Sequence, residues 1–145
     1  MWLRRLLSRL GSRADSPLPR APSGEVGRDG EDLAGRLLRE QGLRILARNY
    51  RCPAGETDFV ALDESTLKTH GAATIVFVEV KTRRSDHWTD PASAVDEDKR
   101  RRLRNVARYY CAGRPADLRC RFDIVSIVAP RGQPPRATHI PGAFC

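Results

Sequence analysis

Long apolar runs are missing from this chain. The longest stretch of bulky apolar residues is the short segment from Ile75 to Val78, far below the roughly 20 residues that span a bilayer as a helix. With no secretory signal either, the expectation is a soluble, cytoplasmic protein without stable membrane association. Cysteines at metal-ligand spacing are also missing. Cys52, Cys111, Cys120 and Cys145 form no CxxC pair and have no histidine pattern nearby, so neither a zinc site nor a disulfide framework is indicated and free thiols are expected. Lysine is scarce: of 26 basic residues only Lys68, Lys81 and Lys99 are lysine, the other 23 being arginine. GC-rich coding produces such a bias without selection for binding, so basicity alone does not establish a partner.

What is present bounds the rest. A chain of 145 residues has room for one core, since domains commonly run to roughly 100–150 residues. Charged residues make up 30% and prolines number 10, so part of the length belongs to solvated tails. A net charge of +8 and a pI near 10.0 favour a polyanionic partner, because each neutralised phosphate releases condensed counterions. Nucleic acid leads, with DNA favoured over RNA, and a homodimer stays open.

Residues 1–24 read as a basic, flexible arm: Trp2, Leu3, Leu6, Leu7 and Leu10 fall at helical spacing among arginines before Pro17, Pro19 and Pro22 interrupt. An α/β domain is expected over residues 25–130 and a C-terminal tail over 131–145. Leu33, Ala34, Leu37 and Leu38 place a first helix at 29–41, stopped by Gly42. Residues 43–51 and 56–63 alternate around a turn at 52–55 and predict an antiparallel hairpin. A loose connection follows, then a strand at 74–82 that is apolar on both faces and therefore central. A second helix is expected at 91–112 and a further strand at 122–128. The tail is rich in Pro and Gly and reads as irregular, with a short edge strand near His139. The fold class is α/β, a mixed β-sheet flanked by helices.

The chemistry concentrates where the buried strand spends alternate positions on charge. Glu79 and Lys81 are two apart, so they share a face with Cα atoms roughly 6–7 Å apart. Burying them costs several kcal/mol unless a partner or a metal compensates. Asp58, across the hairpin, supplies a second carboxylate, and two carboxylates beside a lysine make a hard oxygen site suited to Mg²⁺ or Mn²⁺. Glu31 lies on the helix row bordering the core, near the positive helix end. The bland alternatives are an ion pair at a sheet end for Glu79 and Lys81, and a helix-dipole glutamate for Glu31. Lys99 falls on the helix row that faces the sheet, whereas Arg100, Arg101, Arg104 and Arg108 point outward as phosphate contacts, or as a plain solvated face. Arg83 joins them as a nucleic-acid contact. Tyr109 and Tyr110 are expected to pack rather than to stack on bases.

Glu56-Thr57-Asp58 followed by Glu79-Val80-Lys81 resembles the PD-(D/E)XK nuclease signature. The wider text resembles the YraN-like family still more closely: Gly30-Glu31-Asp32-Leu33-Ala34, Asn49-Tyr50-Arg51-Cys52, Gly55-Glu56-Thr57-Asp58, Phe77 through Arg83, Ala94-Val95, Lys99-Arg100-Arg101 and Arg121-Phe122-Asp123. The similarity covers roughly residues 27–128. That family is regarded as distantly similar to archaeal Holliday-junction resolvases, which implies a restriction-endonuclease-like core of a helix, three strands, a helix and a strand. The resemblance further implies that Asp58 and Glu79 bind the metal with the Val80 backbone carbonyl, that Lys81 orients or activates water, and that Glu31 completes the catalytic set. Departures are Thr57 where an aliphatic residue is usual, a longer loop before the E-x-K strand, and the N-terminal arm. Two function classes follow: a Mg²⁺- or Mn²⁺-dependent endonuclease acting on structured or branched DNA, and a non-catalytic nucleic-acid-binding accessory that keeps the fold. A third, a membrane-surface protein using its first 13 residues, rests on the amphipathic start alone.

Overall fold

Residues 25–84 and 95–145 are described in the computed structural model. The chain runs α1 (Glu25–Glu40), β1 (Arg44–Cys52), β2 (Gly55–Asp63), α2 (Thr66–His70), β3 (Thr74–Arg83), α3 (Glu97–Cys111), β4 (Arg119–Val128) and β5 (Arg136–Phe144). One five-stranded sheet has the order β1-β2-β3-β4-β5. Its only parallel pair is β3 with β4, in unbroken register from Thr74 opposite Arg119 to Arg83 opposite Val128. A parallel pair needs a long crossover, and α3 provides it.

The doubly apolar strand sets the layers. Ile75 and Phe77 pack beneath α3 with Val60, Leu62, Leu103, Val106, Tyr110, Phe122 and Ile124. Val76 and Val78 point the other way, against Ala34 and Leu38 of α1 with Phe59, Ala61, Val125 and Ile127. β3 is thus central and covered on both faces, as its composition predicts. Helices on both faces of a mixed sheet give the α/β class, in the arrangement of a restriction-endonuclease-like core. Among the described residues no helix is long and apolar enough to cross a membrane.

Several boundaries differ from the sequence expectation. α1 begins at Glu25 rather than 29. α3 begins at Glu97 rather than 91, because Asp96 is extended and its carboxylate caps the Lys99 N–H at 2.8 Å. Residues 91–94 lie outside the described residues, as does the arm at 1–24. The connection after β2 contains the one-turn helix α2, and β4 starts at Arg119 rather than 122.

The largest correction is the C-terminal segment. The short edge strand expected near His139 is a nine-residue strand on β4 within an otherwise irregular tail, so the domain extends to Phe144 instead of ending at 130. Pro141 and Gly142 suggested a break, but an edge strand tolerates Pro. Gly142, at φ 60°, sits where the β4–β5 register shifts and gives its N–H to Asp123 at 2.9 Å. Phe144 stacks on Phe122 with ring centroids 5.0 Å apart. We expect Phe144→Ala to lower stability by about 3 kcal/mol, and removal of residues 131–145 to abolish the cooperative thermal transition. A disposable tail would leave the melting temperature unchanged in both cases.

Candidate functional site

The β2–β3 ladder stops at Phe59 opposite Val78. Beyond it, side chains take over from backbone. Buried Thr57 donates its hydroxyl to the Val78 carbonyl at 3.0 Å, and Asp58 Oδ2 accepts the Val80 N–H at 2.7 Å. The departure at Thr57 is thereby explained, since an aliphatic side chain would leave that carbonyl without this donor. Within a strand the N–H and C=O of one residue face the same edge, so the Val80 carbonyl also faces the side of Asp58.

Glu79 is buried, 6% exposed, on the α3 face of β3. Its Oε1 receives two ammonium groups, Lys99 Nζ at 3.2 Å and Lys81 Nζ at 3.4 Å. A cation in the first turn of a helix opposes the helix dipole, so Lys99 is placed against its helical interest and in favour of Glu79. Sequence reasoning put Lys99 on the sheet-facing row, and the ion pair agrees.

Glu31 comes from α1, which approaches β3 closely because residue 30 is glycine: a Cβ there would lie 2.7 Å from Thr82 Oγ1. Asn49 of β1 donates to Glu31 Oε2 at 3.2 Å. Burial, the charge of Glu79 and that of Glu31 push the Asp58 carboxyl up from 3.8 to about 7, against the Val80 N–H and Lys99, which favour its ionised form. Glu31, Asp58, Glu79, Lys81 and Lys99 therefore form one electrostatic neighbourhood.

The arginines behave less uniformly than their spacing implied. Arg100 is half-buried, donates to the Val95 carbonyl at 3.0 Å and lies over the Phe144 ring. Arg104 binds Glu97 and the Cys145 carbonyl, each at 2.8 Å. Arg101 pairs with Asp98, and Arg108 with Asn105, on the exposed face. Arg83 follows Lys81 on the same strand face, and its carbonyl accepts the Ala129 N–H. Tyr110 is in the core as expected, whereas Tyr109 is exposed.

The sequence reading missed Asn49 and the Asp96 cap as site elements. An asparagine inside a strand pattern was the available signal. It also missed a second polar cluster on the α1 face, where Arg121 bridges Asp63 and Asp123 at 2.8 Å each, and His139 Nε2 lies 2.8 Å from Asp123. Burial favours the neutral acid at Asp123, but His139, Arg121 and the Gly142 N–H outweigh it and hold the carboxyl below its usual value.

The raised Asp58 carboxyl carries a pH signature. The folded protein keeps a proton there between about 4 and 7 that the unfolded chain has released, so this group's contribution to stability falls as pH rises through that window and is flat above it. With divalent metal chelated, Asp58→Asn should melt within a degree of the wild type at pH 4 and a few degrees above it at pH 8. Equal melting differences at the two pH values would remove Asp58 as the titrating group.

The chain matches Uncharacterised protein family UPF0102 across residues 30–127, which includes the whole cluster. It is 43% identical over 121 residues to a UPF0102 protein of Streptomyces griseus subsp. griseus, covering 82% of this chain and 95% of that one. A UPF0102 protein of Solibacter usitatus is 46% identical over 121 residues, 81% of this chain and 84% of that one. One from Moorella thermoacetica is 46% identical over 102 residues, covering 70% and 78% respectively. With the matched segment spanning α1 through β4, the chain belongs to the UPF0102, or YraN-like, family.

Proposed function

We propose that the protein is a metal-dependent endonuclease that hydrolyses nucleic-acid phosphodiesters in the cytoplasm, with structured or branched DNA as substrate. The observation that carries this reading is the buried Glu79 carboxylate, shared by two lysines and set beside a second carboxylate whose ionisation is suppressed. A carboxyl perturbed by burial and by specific charged neighbours, as Asp58 is, is a candidate for chemistry. The net charge of +8 supports a phosphate-rich substrate.

The donor set fits Mg²⁺ or Mn²⁺. Asp58 and Glu79 would hold the ion with the Val80 carbonyl, and Glu31 stands behind them. Among the described residues no group of three or more His, Cys, Asp or Glu side chains is arranged to enclose a metal. Magnesium commonly takes only one or two carboxylates and leaves its other positions to water and phosphate. When bound, such an ion supplies positive charge against the phosphate and acidifies a neighbouring water. Lys81, with its side chain 37% exposed, sets an ammonium between Glu79 and solvent. There it stabilises charge building on the phosphate oxygens during in-line attack and can pass a proton. Lys99 pairs with the same Glu79 oxygen from α3.

One observation favours a second reading, a nucleic-acid-binding accessory without catalysis: two ammonium groups already neutralise Glu79. Junction, flap and single-stranded DNA, and RNA, incubated with the protein in Mn²⁺ or Mg²⁺ separate the two. We expect branched DNA to be cut and Glu79→Gln to stay folded but inactive. Absence of cleavage on every substrate, with salt-sensitive DNA binding that Glu79→Gln leaves intact, would establish the accessory instead.

Binding and turnover should also separate by residue. Arg101→Gln and Arg108→Gln are expected to flatten the dependence of log affinity on log salt by about 0.9 per lost phosphate contact, equally for all sequences. Arg100→Gln should lower the melting temperature as well, because its guanidinium is tied to Val95 and Phe144. Lys99→Ala should reduce turnover at saturating DNA while the salt slope falls by no more than one contact. Normal turnover with an affinity loss like that of the arginine variants would place Lys99 among the phosphate contacts only.

A further inference from the structure

Asn49 is the only non-glycine residue with positive φ among the described residues, at 49°. An L-residue in this left-handed region is strained by about 1–2 kcal/mol. Asparagine bears that strain best, yet it is a poor strand former, and this position lies inside β1. Its neighbours show what the strain does. Arg48 and Tyr50 are two apart and would share a face in a regular strand. Instead Arg48 covers Phe59 in the α1 layer and binds Asp32, while Tyr50 packs edge-on against Tyr110 in the α3 layer.

Asn49 sits at that reversal. Arg48 pairs with Phe59 and Tyr50 with Thr57, so Asn49 stands across from Asp58. From there its Nδ2 donates to Glu31 Oε2 at 3.2 Å. Nothing in the hairpin geometry requires an amide at this position, since glycine adopts a φ of 49° without strain. The side chain has a reason of its own.

We propose that Asn49 is a positioning residue of the cluster. Its carboxamide holds the Glu31 carboxylate toward Asp58 and Glu79, so that Glu31 acts on a divalent cation bound there. The proposal rests on the metal-site reading above. Second partners that orient a ligating carboxylate typically change metal affinity 10- to 100-fold when removed.

The test uses Mn²⁺ alone as probe, measured by titration calorimetry without nucleic acid, together with the melting temperature of the metal-free protein. Asn49→Gly keeps the backbone conformation and removes only the amide. We expect it to melt at or above the wild-type temperature while its Mn²⁺ affinity drops roughly tenfold or more. Glu31→Gln should lose a similar factor, and the double variant should lose no more than either single one, since both act through one contact. Wild-type affinity in Asn49→Gly, additive losses, or melting well below the wild type overturns the positioning role; the last outcome makes Asn49 a part of the fold. Failure of the wild type itself to bind Mn²⁺ defeats the metal-site reading, and this proposal with it.

Discussion

A carboxylate buried at the end of an otherwise apolar strand constrains everything around it. Glu79 follows Ile75 and Phe77 on the same face of β3, and its side chain is almost wholly shielded from water. Burying such a charge alone costs several kcal/mol, so neighbouring elements must supply compensation. Lys81 does so from the same strand. Lys99 does so from α3, against the helix dipole, with its amide fixed by the Asp96 cap. The parallel pairing of β3 and β4 brings α3 across this face of the sheet, so topology and electrostatics serve the same demand.

Two buried carboxyls in the same sheet show how differently that demand can be met. Asp123 receives hydrogen bonds from Arg121, from His139 and from the Gly142 N–H, and its ionised form is favoured despite burial. Its charge is spent on joining β4 to the edge strand β5. Asp58 is also sheltered but faces Glu79 and Glu31, and its ionised form is disfavoured. A protein built only for stability would give Asp58 the treatment of Asp123. The contrast separates a carboxyl held by direct hydrogen bonds from one whose neighbouring lysines are spent on Glu79.

The fold was legible where periodicity was strong and one residue decided the face. The central strand, the hairpin and the first helix follow directly from the positions of Ile75 to Val78, Phe59 to Leu62, and Ala34 with Leu38. β5 was legible only as a short edge strand near His139; its continuation to Phe144 was not, because Pro141 and Gly142 carry turn propensity that the pairing with β4, the Asp123 contact and the Phe122–Phe144 stack override. Of the cluster, Glu79, Lys81, Asp58 and Lys99 were visible as charges on apolar patterns. Asn49 was not singled out, because its role depends on a backbone φ and a contact 18 positions away in the chain. The start of α3 was misplaced for the opposite reason: Val95 continues the apolar helical pattern, yet Asp96 breaks it with an extended backbone.

The division of labour between lysine and arginine follows from shape. Arginine's planar fork suits two-pronged contacts, and this chain uses it so: Arg121 spans Asp63 and Asp123, Arg104 spans Glu97 and the Cys145 carbonyl, and Arg100 joins a carbonyl to an aromatic face. A single carboxylate oxygen receiving two cations asks for compact groups. Two ammonium ions fit around Glu79 Oε1 at 3.2 and 3.4 Å, where two guanidinium planes would crowd each other. In a chain with 23 arginines and three lysines, two of those lysines converge on one buried oxygen. Coding bias raises the number of arginines at the expense of lysines. It does not account for this convergence, which the geometry of the cluster requires.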